Sequence, residues 1–199
     1  VTVGSLGGPL WREADLRDVT LATPDGRPVI RAARVRVRYG LLDIVRGRYV
    51  LRDVVLVRPT VVLEQAPDGT WNYERLFKLK RHEPSAAGPR PLVEMVNARV
   101  SDGTLVLKPR AGADGSRTER RFLGIELDLR RLRVSHPEST AIVAEVRRVA
   151  ARSTDPAVRI VTADGDVTVE GDSARFDFAH FELPGTRASA AGRVRWGGA

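Results

Sequence analysis

This sequence contains no cysteine, and Met95 is the only methionine among its 199 residues. Without cysteine the chain forms no disulfides and no thiolate metal sites, although this absence does not identify its compartment. No apolar run approaches the roughly 18 residues that a membrane helix needs, and no signal peptide is visible. Because Val1 lies inside an expected strand, we interpret the chain as a segment of a longer protein.

Residues that usually carry catalysis are also scarce. His82, His136 and His180 have no second histidine or carboxylate at a metal-ligand spacing. No phosphate-binding loop, dinucleotide fingerprint or nucleophile elbow is present. Carboxylates such as Glu126 and Asp128 alternate with leucines, which places them on the exposed face of a strand. The sequence therefore predicts no catalytic residue, no metal and no cofactor, and it argues against an enzyme.

Aromatic residues make up only 6% of the chain, whereas the formal net charge is +8. This charge is compatible with nucleic acid or with anionic lipid headgroups. Among the 33 basic residues only Lys78, Lys80 and Lys108 are not arginine, and the arginines are scattered along nearly every expected strand. Nucleic-acid binding needs aromatic platforms or an inserted helix, and the aromatics do not interleave with the arginines. We therefore expect solvated strand faces and no nucleic-acid partner.

The patterns that are present predict β-strands. Residues 35–39 alternate apolar side chains with arginine, which is the period of a half-exposed strand. Ile30 has the opposite parity, which predicts a bulge near residues 32–33. Five Asp-Gly pairs are typical of hairpin turns and indicate a meander. They begin at Asp25, Asp68, Asp102, Asp114 and Asp164.

The central strands break the alternation. Residues 54–57 and 61–63 are apolar at both parities, which predicts that both faces of their sheet need cover. A short helix over 41–46, ended by Gly47, is expected to cover one face. No second long helix is available for the other face, so that face must meet another sheet, another protein or something hydrophobic that is not protein.

A change of composition divides the chain. Residues 78–91, KLKRHEPSAAGPRP, predict a linker or a long surface loop. We expect a β module over 1–77, with the helix at 41–46 and a helical turn at 73–77, and continuing β repeats over 92–199.

The order of these features resembles the N-terminal region of the AsmA/TamB family of diderm bacteria, which includes the inner-membrane subunit of the translocation and assembly module. Residues 1–77 carry the resemblance, which becomes looser from Val93 onward. The matching marks are Asp25-Gly26 before a strand, the helix from Leu41-Leu42 to Arg46-Gly47, Leu51 to Val57 running into Pro59, and Asp68-Gly69 followed by Trp71-Asn72 and Leu76.

The resemblance implies a mainly β fold, an elongated and curled antiparallel sheet whose open groove holds phospholipid acyl chains. It implies a periplasmic protein anchored in the inner membrane by a helix upstream of Val1, moving phospholipid between the inner and outer membranes without catalytic residues. The alternative is a scaffold or chaperone-like module that lends a strand edge to outer-membrane proteins and works with an outer-membrane assembly partner. Arginine-rich strands such as residues 34–38 count against promiscuous edge pairing.

A groove wall needs only continuous apolar area, worth roughly 25 cal/mol per Å² buried, so we expect single substitutions to have little effect. The competing interpretation is that the same residues form the core of a closed sandwich. The candidates for the wall are Val35, Val37, Leu51, Val55, Val57, Val61, Leu63, Leu105, Leu107, Leu127 and Leu129.

Overall fold

The computed structural model describes residues 1–8, 11–72, 92–110, 119–135, 142–170 and 173–195. Within them the chain forms one sheet of eleven strands and one short helix. The elements are β1 (Ser5–Gly7), β2 (Glu13–Ala22), β3 (Pro28–Tyr39), α1 (Leu41–Val45), β4 (Arg48–Val57), β5 (Thr60–Glu64), β6 (Leu92–Lys108), β7 (Arg120–Ser135), β8 (Ile142–Thr154), β9 (Ala157–Glu170), β10 (Ser173–Leu183) and β11 (Thr186–Arg195).

Most neighbouring strands follow one another in sequence and pair antiparallel, and within the described residues β1 and β11 form the two open edges. This confirms the predicted mainly β class, an antiparallel sheet with a short helix in its N-terminal part. The exception to the meander is β6, which pairs parallel with β4 and β5. The residues on both sides of the predicted linker therefore belong to one sheet. The linker at 78–91 and the predicted helical turn at 73–77 lie outside the described residues.

β4 and β5 together act as one interrupted strand beside β6. Their register with β6 is the same on both sides of the break, since Arg48 faces Leu92 near the start and Glu64 faces Lys108 at the end. Proline has no N–H to donate, so Pro59 interrupts the strand. Its carbonyl oxygen still accepts a hydrogen bond of 2.8 Å from the N–H of Thr104. The ladder therefore continues across the break.

Two of the predicted hairpin turns lie inside strands. Asp25-Gly26 and Asp68-Gly69 do form turns. Asp102 and Asp164 instead lie within β6 and β9, so the prediction of turns there is wrong, and Asp114 lies outside the described residues. For Asp102 the physical reason is that Asp tolerates the left-handed conformation in a bulge as well as in a turn, whereas at Asp164 the positive φ inside β9 belongs to Gly165. Asp102 has φ 52° and the β6–β7 register shifts beside it.

Left-handed residues also explain the apolar runs in the centre of the chain. Asp53 has φ 50° inside β4, and the register of β4 against β3 shifts there. A bulge inserts one extra residue, so the alternation of faces restarts after it. Leu51, Val54 and Leu56 consequently pack in one cluster on the same side of the sheet. Val50, Val55 and Val57 nevertheless lie on the opposite side of β4, and Val50 is only 6% exposed, so the prediction that both faces of the central strands need cover stays a prediction.

A left-handed residue inside a strand recurs along the chain, twice within the same short sequence. Residues 16–19 and 51–54 both read LRDV, and Asp18, like Asp53, is left-handed. Asn97 of β6 is left-handed too, and the residue after each of the three is buried. On β3, Ala32 and Val35 pair with Val19 and Leu16 in one register, and the described pairs of β2 and β3 shift only between Leu21 and Ala22, so the bulge predicted near 32–33 stays a prediction. Such bulges bend their strands and curl the sheet.

The predicted helix at 41–46 is present as α1, but it covers neither face. Leu42 and Val45 are 71% and 83% exposed, and no residue of α1 is buried. Apart from slight contacts, this five-residue helix at the junction of β3 and β4 touches only β4 among the described elements. It is too short to reach across neighbouring strands, so the expected cover is wrong. No helix among the described residues is long and apolar enough to cross a bilayer.

A substitution at Arg58, the residue that follows β4, tests its left-handed conformation. Arg58 is exposed with φ 48°, so Arg58→Gly is expected to raise the free energy of unfolding by about 1 kcal/mol, because glycine adopts this conformation without a steric cost. Arg130 is exposed within β7 and is not left-handed, so Arg130→Gly should lower it by about 1 kcal/mol. Urea denaturation measures both, and equal losses would contradict the left-handed assignment.

Candidate functional site

Apolar side chains form continuous rows across the sheet. Residues paired directly on neighbouring strands point to the same face, so a row can be followed from pair to pair. The longest row runs from β1 to β11 and contains no polar residue. Its members are Leu6, Leu16, Val35, Leu56, Val100, Leu127, Val149, Ala163, Phe181 and Ala188.

Further rows widen this surface, which we call the inner face. One runs from β3 to β11 through Tyr39, Leu51, Met95, Leu132, Ala144, Val167, Phe176 and Gly192. Another lies between the first two, through Ala98, Leu129, Val146, Gly165, Phe178 and Ala190. A shorter one passes from β2 to β7 through Leu21, Ile30, Val61, Leu105 and Phe122. The inner face is therefore apolar along most of the described sheet.

No second layer covers the inner face within the described residues. Apart from slight contacts, strands touch only their neighbours in the sheet, and α1 touches β4. Val54, Ala98 and Leu129 form a small buried cluster packed by side chains of their own face. The described strands thus form a single-layer sheet and not a closed sandwich.

The opposite face, here the outer face, carries the charges. One of its rows runs through Asp15, Arg36, Val55, Arg99, Asp128 and Arg148. Arg34 donates to Asp15 at 2.8 Å, and Arg131 pairs with Glu94 at 2.9 Å. Exposed pairs of this kind each contribute little stability. They concentrate charged groups on the outer face, which also contains the buried Val29 and Val50.

The left-handed residues also link strands across the outer face. Asp53 accepts a hydrogen bond from Arg38 at 3.3 Å and another from the amide of Asn97 at 3.4 Å. Arg147 reaches across β7 to donate to the Asn97 side-chain oxygen at 3.0 Å and to Asp128 at 3.2 Å. The bulges therefore turn apolar neighbours toward the inner face and place polar side chains in an outer network.

The electrostatic environment of the outer face favours ionised carboxylates. The hydrogen bond from Arg34 holds the pKa of Asp15 below its ordinary value, and Arg121 does the same to the pKa of Glu119. A carboxyl whose folded-state pKa is depressed stabilises the fold above its unfolded-state pKa, and this contribution is lost as the pH falls through the folded-state value. These pairs are therefore fully formed at neutral pH.

The structure brings nine of the eleven predicted wall residues onto the inner face. Val35, Leu51 and Leu127 lie in the rows above, and Val37 packs against the buried cluster. The others on this face are Leu129, Val61, Leu63, Leu105 and Leu107.

Val55 and Val57 lie instead on the outer face, so the predicted set is not one surface. Val55 is paired with Arg36 and Arg99, and Val57 is paired with Arg34. Strict alternation from Leu51 predicts both residues on the same face as Leu51, but the bulge at Asp53 reverses that parity. Strict alternation also leaves out Leu56, which lies on the inner face. The repeated LRDV motif is the signal that could have located the bulge.

Near its β11 edge the inner face carries an aromatic ladder on β10 that sequence reasoning did not select. The ring centroids of Phe176 and Phe178 are 5.7 Å apart, and those of Phe178 and Phe181 are 6.4 Å apart. The ring of Phe176 lies over Gly192, where a Cβ would come within 2.7 Å of it. Alanines and glycines on β9 and β11 flank the ladder, so the rings form the raised part of this end of the inner face.

The described part of the chain offers no arrangement suited to a metal ion. No group of three or more histidine or carboxylate side chains there converges on one point. His180 contacts Asp164 at 3.1 Å on the surface, with most of its side chain exposed. The arrangement that stands out chemically is therefore the inner face, which can bind apolar molecules.

Over the described residues, the fold and the two faces define an open, single-layer β-sheet with one apolar and one charged surface. Comparison with protein-family models, with curated proteins and with solved structures gives no significant match.

Proposed function

We propose that this protein binds phospholipid acyl chains along the inner face and forms part of a conduit that moves phospholipid between the inner and outer membranes. The observation that carries this proposal is the apolar row from Leu6 of β1 to Ala188 of β11, uninterrupted and without a covering layer in the described residues. The resemblance to the AsmA/TamB family supports it independently. Under this proposal the protein works in the periplasm, held at the inner membrane by a helix that precedes Val1.

The dimensions of the inner face suit a chain of methylenes. Strands are about 4.8 Å apart, so the longest row extends about 40 Å. One bilayer leaflet has about 15 Å of hydrocarbon, so an acyl chain fits along the row with room to move. Each buried methylene contributes about 0.8 kcal/mol, and no individual side chain dominates. A lipid can therefore slide from one strand to the next without breaking a specific bond.

Mass spectrometry of organic extracts from the purified protein tests this proposal. We expect phospholipid in the parent and its loss in the Leu56→Asp, Val100→Asp variant, which places two charges in the longest row. The matched control is Val55→Asp, Val57→Asp, which puts the same charges on the adjacent positions of the outer face. Circular dichroism establishes that each variant retains its strands.

Two results would contradict the lipid proposal. One is a folded parent that carries no phospholipid, and the other is equal lipid in both double variants.

A second function, the scaffold for outer-membrane proteins, is favoured by the edge strand β11. Residues 186–195 pair only with β10 among the described residues, and Ala188, Ala190 and Gly192 give this edge little bulk. A client strand could add to it by main-chain hydrogen bonds. Photocrosslinking from β11 separates the two functions, since protein adducts support the scaffold and lipid adducts support the conduit.

A further inference from the structure

Large apolar side chains cluster where β3 turns into α1. Trp11 is 64% exposed, and Leu42 and Val45 of α1 are exposed still further. Trp11 and the Leu41-Leu42 pair line one shallow cavity of about 500 Å³ beside Tyr39. Side chains of this size, exposed together, are characteristic of a docking surface. We call this surface the α1 patch and define it as Trp11, Leu41, Leu42 and Val45.

The charges around the α1 patch have one sign. Arg12, Arg46 and Arg48 border it and form no ion pair in the described residues. The two nearby carboxylates are already engaged, since Asp43 pairs with Arg52 at 3.3 Å and Glu13 pairs with Arg38 at 3.1 Å. The patch therefore presents apolar side chains and unpaired guanidinium groups together, with no free negative charge among these neighbours.

We propose that the α1 patch docks on the surface of an anionic lipid bilayer. Tryptophan concentrates at the membrane interface, and leucine and valine enter the boundary between headgroups and acyl chains. Arginine pairs with anionic headgroups while its stem covers apolar surface. A protein partner of complementary charge would need carboxylates beside an apolar pocket, whereas an anionic bilayer supplies both features over its whole surface.

This contact is separate from the lipid binding proposed for the inner face. The α1 patch lies beyond the ends of β3 and β4, and no member of it belongs to the rows of the inner face. The contact would hold the side of the sheet that carries α1 against a bilayer, whether or not the inner face carries lipid.

Vesicle cosedimentation of the 199-residue protein tests the proposal. We expect binding to vesicles of phosphatidylglycerol mixed with phosphatidylcholine, and binding weaker by about tenfold or more for Leu42→Asp, Val45→Asp. The control Val158→Asp, Val194→Asp adds the same charge at valines that are 42% and 53% exposed elsewhere. Equal weakening by both double variants would overturn the proposal, because it would show that the α1 patch has no special part in binding.

Substitution of the arginines beside the α1 patch is a second test. Arg46→Gln, Arg48→Gln removes two charges, each worth about a fivefold change in affinity near an anionic surface, so we expect about thirtyfold weaker binding to the mixed vesicles. Binding to pure phosphatidylcholine should not change. An unchanged affinity for the anionic vesicles would overturn the assignment to anionic lipid.

Trp11 fluorescence reports the contact directly. In a Trp71→Phe, Trp196→Phe variant Trp11 is the only tryptophan, and vesicles with brominated acyl chains should quench its emission. Adding Leu56→Asp and Val100→Asp separates this contact from lipid on the inner face, because quenching should persist. Absence of quenching in the single-tryptophan protein would overturn the bilayer contact, and loss of quenching on adding the two aspartates would assign the lipid to the inner face.

Discussion

Gly165→Ala is expected to lower the free energy of unfolding by about 3 kcal/mol or more, because the added methyl group has no room between β9 and β10. Gly165 has φ 150°, and a Cβ there would lie 2.0 Å from the carbonyl oxygen of Asp177 and 2.7 Å from the Cα of Phe178. Both atoms belong to the backbone of β10, so no side-chain rotation relieves the clash. The two strands must separate or shift where Gly165 pairs with Phe178.

Gly185→Ala is the matched control for this prediction. Gly185 also has a positive φ, 78°, but a Cβ there meets nothing within 4 Å. Its substitution should therefore cost only the conformational strain, about 1 kcal/mol. Urea denaturation followed by circular dichroism measures both variants. Similar losses for the two would contradict the close approach of β9 and β10 at Gly165.

Leu129→Asp should lower the free energy of unfolding by about 3 kcal/mol or more. Leu129 is one of the few buried side chains and packs with Val54 and Ala98 in the middle of the sheet. The substitution removes this packing and places a carboxylate among apolar groups without a partner. The neighbouring Arg130 is exposed, so Arg130→Ala should change stability by less than about 0.5 kcal/mol.

The same urea measurement separates these two outcomes. If the inner face were as solvated as the outer face, both substitutions would have similarly small effects, and the division into two faces would be contradicted. Single substitutions in the wall are expected to matter little for lipid binding, but a substitution at Leu129 should still affect stability. Leu129 differs from most of the wall because it also contributes to the buried cluster.

Local patterns in the sequence predict the secondary structure well. The alternation at residues 35–39, the turns at Asp25 and Asp68 and the short helix after Gly40 are all present. Each depends on residues next to one another in the chain. Together they predict the mainly β class, because the sequence contains no long segment with helical periodicity.

Features that depend on pairing between distant residues were not predictable in the same way. Nothing local to residues 48–64 shows that these strands pair parallel with β6, which follows a long intervening segment. The assignment of Val55 and Val57 to the groove failed because one left-handed residue, Asp53, reverses the faces of everything that follows it in β4. The Asp-Gly pair at Asp102 was misleading for a related reason, since a left-handed residue serves a turn and a bulge equally.

The proposed conduit accounts for the contrast between the two faces more simply than the scaffold does. A strand-lending scaffold needs only an open edge, and it gives no reason for an apolar row that extends through the whole sheet. A lipid conduit needs that row and needs the opposite face to stay in water. The ion pairs and the hydrogen-bonded network on the outer face supply this second requirement.

Site-specific photocrosslinking along β4 tests the central claim most directly, because the bulge at Asp53 gives the inner face an irregular spacing there. With a photoreactive amino acid placed singly at residues 51, 52, 54, 55, 56 and 57, we predict lipid adducts from Leu51, Val54 and Leu56. Arg52, Val55 and Val57 should give none, since they lie on the outer face. Lipid adducts that followed strict alternation through Val55 and Val57, or that appeared equally at all six positions, would contradict a single lipid-binding inner face.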